Sequence, residues 1–85
     1  MNELRDLPGI GKVNAAKLNA VGIETPQQFR EIGAQEAFLR VRGMVDSGAC
    51  VHMLMGFRAA ELGVAKVALP DEERRALRAF FDSVK

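Results

Sequence analysis

Leu7-Pro8-Gly9-Ile10-Gly11-Lys12-Val13-Asn14-Ala15-Ala16-Lys17-Leu18, closed by Val21-Gly22-Ile23, is the stretch that decides how this chain folds. Gly9 and Gly11 let the backbone turn sharply with no Cβ in the way, while the apolar Ile10 between them points inward and pins the turn to a core. Beyond Gly11 the apolar positions recur at helical spacing, which predicts a helix over Gly11 to Val21. It buries Ala15 and Leu18, with Val21 at the edge, and turns Lys12, Asn14, Lys17 and Asn19 outward. Gly22 supplies a left-handed stop.

The rest of the chain divides into similar pieces. Thr25 can cap a helix whose first position is Pro26, and Gln28 completes a Thr-x-x-Gln capping box. That helix buries Phe29 and Ile32 and ends at Gly33. Ala34, Ala37, Phe38 and Val41 fall at i, i+3, i+4 and i+7 of a third helix, with Gln35, Glu36, Arg40 and Arg42 opposite. Gly43 to Gly48 reads as a loop. Ala49 to Leu62 is apolar over most of its circumference, which places it at the centre of the fold. Gly63 ends it, and Val64 to Leu69 is a connector. Pro70 and Asp71-Glu72-Glu73 open a last helix, where acids favour the positive end of the helix dipole. It buries Leu77, Phe80, Phe81 and Val84. The expected fold is all-α, a compact bundle of about five short helices.

Bulk composition agrees. The 85 residues hold one domain, 1–85, and the apolar share of 48% with five Phe and no Trp or Tyr suits helices. A formal charge of +1 gives no global excess of cations to hold a polyanion, so any nucleic-acid contact must be local. One cysteine, Cys50, closes no internal disulfide, and no Cys or His cluster has zinc-ligand spacing. The acidic start Met1-Asn2-Glu3-Leu4-Arg5-Asp6 is neither a secretory signal nor a transit peptide, and the apolar run from Ala49 to Phe57 is far too short to span a bilayer. A soluble cytoplasmic protein is expected, with no membrane contact.

The Gly-Ile-Gly segment, with Ala15 and Leu18 after it, resembles the helix-hairpin-helix motif of the SAM/HhH-like class. Amides left unpaired at a helix start, together with the helix dipole, favour an anion. The backbone at Gly9, Ile10, Gly11, Lys12 and Val13 can therefore take a phosphate. Lys12 adds a mobile charge, and Lys17, about one and a half turns on, can reach the next phosphate. Contacts of this kind ignore base identity, so the expected ligand is a DNA backbone held weakly and without sequence preference. The same turn also makes compact helix junctions and mediates protein contacts, so a protein-interaction module, a homodimer or the partner of a regulator, stands beside the DNA reading. The segment Phe29 to Ala37 is a weak candidate for a second hairpin, with one glycine and with Glu31 and Glu36 where basic residues would help.

Leu7 to Lys12, Leu18, Val21-Gly22-Ile23, Phe29-Arg30-Glu31-Ile32-Gly33-Ala34, Glu36-Ala37-Phe38, Gly48-Ala49-Cys50, and Leu69-Pro70 leading to Leu77, Ala79, Phe80 and Phe81 together resemble the C-terminal domain of the TfoX family. That resemblance implies a helical domain similar to helix-hairpin-helix proteins and a link to regulation of bacterial competence for DNA transformation. Larger members carry a separate N-terminal domain, so this chain resembles a stand-alone version. Its Pro8-Gly9 replaces a Pro-Asn associated with the family, a change toward a DNA-binding hairpin.

Other residues read as structural. Cys50 and His52 point about 200° apart on a helix and cannot share a metal. Cys50 is expected as a buried thiol and His52 as packed or partly exposed. Met44, Met53 and Met55 are expected to fill the core, and Arg74, Arg75 and Arg78 to form a solvated face neutralised by the acids nearby. No nucleophile with a base, paired carboxylates or phosphate loop ending in Lys-Ser/Thr is present, and Gly9-x-Gly11 lacks the third glycine of a dinucleotide site. The expectation is a domain that is not an enzyme and uses no cofactor, metal or small-molecule substrate.

Overall fold

Residues 3–84 are described by a computed structural model. A 3₁₀ turn at Leu4–Asp6 leads into five α-helices: α1 (Gly11–Ala20), α2 (Pro26–Ile32), α3 (Ala34–Met44), α4 (Val51–Leu62) and α5 (Asp71–Ser83). A second 3₁₀ turn, Lys66–Ala68, joins α4 to α5. The architecture is all-α, with no strand among the described residues.

The local signals act where the side chains place them. Thr25, extended at φ −129° and ψ 156°, accepts the Gln28 amide on its hydroxyl at 3.1 Å. Gln28 reaches back one residue further than a strict capping box, accepting the Glu24 amide at 2.7 Å. Gly63, left-handed at φ 73°, closes α4, with its own amide bonded to Ala60 and the Val64 amide bonded to Ala59. Gly22, at φ 84°, follows α1 in the same way.

Helix α4 sits centrally, packed against α3 on one side and α5 on the other. Its buried residues Leu54, Met55, Gly56, Phe57, Ala59 and Ala60 include three small ones, which allow neighbouring backbones close. Phe29 and Phe57 meet edge to face with ring centres 5.7 Å apart, and Phe38 and Phe81 are tilted at 6.0 Å. Fully buried Leu18, Ile23, Val41 and Leu54 complete the core. Leu77 is buried in α5, while Phe80, Phe81 and Val84 are half-buried at its edge.

Four expectations need correction. Helix α3 continues through Gly43 to Met44, so the loop begins at Val45. Burial of Phe38 and Val41 outweighs the ~1 kcal/mol that an interior glycine costs, and the Val45 and Asp46 amides both bond the Val41 carbonyl to end the helix. Cys50 is exposed, because it is the N-cap residue of α4 and stands on the lip of the helix. Met44 is 74% exposed for a like reason, as the last residue of α3, whereas Met55 is buried and Met53 half-buried. Arg74 is half-buried and donates to the carbonyls of Lys66 at 2.8 Å and Leu69 at 3.2 Å, tying the second 3₁₀ turn to α5. Arg75, Arg78 and His52 are exposed. No helix among the described residues is long and apolar enough to cross a membrane.

Candidate nucleic-acid interface

The mouth of α1 is built by its glycines. Leu7, Pro8, Gly9 and Ile10 form a β-turn closed by the Ile10 amide on the Leu7 carbonyl at 3.2 Å. Proline second and a left-handed glycine third, φ 84°, are the requirements of a type II turn. Ile10 then returns to the right-handed region, φ −92° and ψ −67°, and Gly11 is left-handed again at φ 69°. A right-handed residue followed by a left-handed one turns successive N–H groups toward one side, the concave arrangement called a nest, which accommodates anions.

The side chains sort accordingly. Ile10 is 4% exposed and anchors the turn in the core, so only its backbone belongs to the mouth. Gly9, Gly11, Lys12 and Val13 are exposed. Among the described residues, the amides of Gly9, Gly11, Lys12 and Val13 meet no backbone or side-chain acceptor, and Ile10 offers no side-chain cap. Lys12 has no ion-pair partner among those residues. Gly9 is fixed from behind by α4: a Cβ there would lie 2.7 Å from the Gly56 carbonyl oxygen, while one on Gly11 would meet open space.

Lys17, expected to be free for a second phosphate, is already engaged. Its ammonium lies 2.7 Å from Asp46 Oδ2, in the loop between α3 and α4, with both side chains about a quarter exposed. The Lys17 hydrogen bond holds the Asp46 carboxyl below the usual carboxylate range, and the Gly48 amide on Oδ1 at 3.1 Å adds to that. Lys17 is thus a strut between α1 and this loop. Three other basic groups are also engaged: Arg5 with Glu3 at 3.0 Å, Arg40 with Glu36 at 3.1 Å, and Arg42 with the Val84 carbonyl and the face of Phe38.

The junction at Gly33 shows what an occupied helix start looks like. Gly33 is left-handed at φ 87°, and α3 begins directly after it, but the Ala34 amide donates to Glu61 Oε1 at 3.1 Å. The chain's own carboxylate fills that position, so the segment Phe29 to Ala37 offers no open anion site. Arg58 binds Glu61 at 3.0 Å and reaches Glu73 with two bonds, holding the Glu73 carboxyl below its usual range while its own guanidinium is raised by Glu73 first and Glu61 second. These three charges line a cleft of roughly 530 Å³ with Ile32, Leu39 and Phe80, and Arg58 is bonded to both carboxylates. The cleft is a tie among α3, α4 and α5.

Gly56, Asp46 and Glu61 are the residues the sequence reading missed. A signal existed for Gly56, since a glycine inside an apolar helix costs stability and usually marks a close approach. The partners of Asp46 and Glu61 lie 29 and 27 residues away, beyond any local pattern.

The family model described as the TfoX C-terminal domain matches residues 1–81. Two solved structures are similar over nearly the whole chain. An uncharacterized protein from Listeria monocytogenes, in a triclinic crystal form, superposes with a TM-score of 0.93 at 34% identity, covering 96% of this chain and 92% of its own. A protein of unknown function from the same organism, in a tetragonal form, gives 0.91 at 34% identity, with coverage of 96% and 99%. No curated protein matches.

Proposed function

From a chain that belongs to the TfoX C-terminal domain family, we propose a small binding and regulatory domain that holds a DNA backbone weakly and without sequence preference at the mouth of α1. The amides of Gly9, Gly11, Lys12 and Val13 receive phosphate oxygens, Lys12 supplies the charge, and Ile10 keeps the turn rigid from within. The hairpin acts here in the manner of a helix-hairpin-helix, without catalysis. Family membership adds the setting, regulation of competence or transcription.

The observation that carries this reading is the contrast between helix starts. Thr25 caps α2, Glu61 caps α3 and three acids stand in the first turn of α5; α4 also starts without a side-chain cap, at Cys50, but from extended backbone with no left-handed glycine before it. Exposed α1 amides follow a nest-like turn and lie beside Lys12, which has no ion-pair partner among the described residues; a non-specific phosphate contact requires such a group.

Contact with about one or two phosphates places affinity at or below the weak end of the ~10⁻⁴ to 10⁻⁶ M non-specific range, with a shallow salt dependence. Fluorescence anisotropy of a labelled duplex at low salt tests it. Binding that weakens with salt and falls further in Lys12→Glu is expected; equal binding by Lys12→Glu and the native chain overturns the site.

A second reading, a protein-contact module, is favoured by the exposure of Val67 at 88%, Met44 at 74% and Val13 at 70%. Sedimentation separates the two, since a monomer that binds DNA disfavours it.

A further inference from the structure

We infer that Asp46 is an internal competitor for DNA: it occupies Lys17 as a phosphate would, and so restrains the domain's affinity. The inference rests on the DNA reading above and deepens it.

Lys17 lies on the same helix as the open amides, one turn beyond exposed Val13 and on the same face. From there an extended lysine is in reach of the phosphate that follows the one at the mouth. Instead its ammonium meets Asp46 Oδ2 at 2.7 Å. The carboxylate is held in place from its other side. Asp46 Oδ1 accepts the Gly48 amide at 3.1 Å, its own amide bonds the Val41 carbonyl at 2.9 Å, and its carbonyl accepts the Ala49 amide at 3.0 Å. The loop between α3 and α4 is therefore organised around this one anion, which a flexible acid on the surface would not require.

Two consequences follow for electrostatics. The pair removes one of the two lysines of α1 from the charge available to a polyanion, and it sets a negative group beside the path a strand would follow from Lys12. Both effects lower attraction without altering the mouth itself. The pair is only about a quarter exposed, and it rests on the charge of Asp46, so the restraint is one that a change of charge at residue 46 releases.

The test compares salt dependence of duplex binding in the full chain, by anisotropy, for the native protein, Asp46→Asn, Lys17→Met and Asp46→Asn with Lys17→Met. Asparagine keeps an acceptor for the Gly48 amide, and circular dichroism checks that each variant is folded. Asp46→Asn is expected to bind more tightly and to steepen the slope of log K against log salt by about 0.9, one added phosphate contact. Lys17→Met alone leaves the slope unchanged, because Lys17 is already occupied, and the double variant loses the added contact. Steepening that persists in the double variant, an unchanged Asp46→Asn, or a shallower slope in Lys17→Met overturns the inference while leaving the DNA reading in place. Absence of binding in both the native chain and Asp46→Asn overturns both.

Discussion

Gly9 and Gly56 meet backbone to backbone, so closely that a methyl group on Gly56 would stand 2.9 Å from the Gly9 carbonyl oxygen. The turn Leu7 to Ile10 is thereby seated on the central helix, and the face turned away from α4 is left to solvent.

That contact divides two substitutions that are otherwise alike. Alanine for glycine inside a helix gains about 0.5–1 kcal/mol. Gly43→Ala in α3 has open space around it and should rise in melting temperature by several degrees, at about 4–8 °C per kcal/mol for a domain of this size. Gly56→Ala has the same gain opposed by about 1–3 kcal/mol of overpacking against the hairpin, so its melting temperature should fall. A Gly56→Ala chain that melts as high as Gly43→Ala would contradict the seating.

The two hairpin glycines should differ as well. Both are left-handed, which costs a residue with a Cβ about 1–2 kcal/mol. Gly11→Ala meets nothing else, whereas Gly9→Ala also collides with the Gly56 carbonyl. Urea unfolding should therefore rank Gly9→Ala below Gly11→Ala, with total losses of about 2–5 and 1–2 kcal/mol.

Glu61 is the side chain that starts α3. Glu61→Ala leaves the Ala34 amide and one face of Arg58 without their acceptor, a loss of about 1–2 kcal/mol. Glu61→Gln keeps an oxygen for both and should recover part of it. Equal unfolding midpoints for the two variants would show that the carboxylate's position is unimportant.

The legible part of this fold was the part that neighbours in sequence enforce. Thr25-Pro26, Gly63 and the inward Ile10 needed only local geometry, and each sits as read. Reading Arg74 with the acids beside it missed that carbonyls of Lys66 and Leu69 attract it more directly. Lys17 looked free because its carboxylate enters from the end of α3. Cys50 looked buried because its apolar neighbours are, yet the cap position belongs to the surface. Tertiary partners of charged groups are set by packing angles that apolar spacing does not encode.

Acid should loosen the domain through two carboxylates. Asp46 beside Lys17 and Glu73 beside Arg58 both titrate lower in the folded chain than in the unfolded one. A depressed folded value stabilises above the unfolded value, near 3.9 for Asp and 4.3 for Glu, and that stability is lost as pH falls through the folded value. Melting temperature should thus carry the full contribution of these groups, unchanged, between about pH 7 and 5 and should decline below about pH 4. The Asp46→Asn, Glu73→Gln chain should decline less steeply; an identical profile would mean neither pair is formed in solution.

The most direct measurement is a titration of the ¹⁵N-labelled chain with a short duplex at low salt, followed by amide chemical shifts. The resonances of Gly9, Gly11, Lys12 and Val13 should move together and saturably, return on addition of salt, and stay still in Lys12→Glu, while Ala34, capped by Glu61, does not move. Shifts confined to other surfaces, or none at the mouth of α1, would contradict the account.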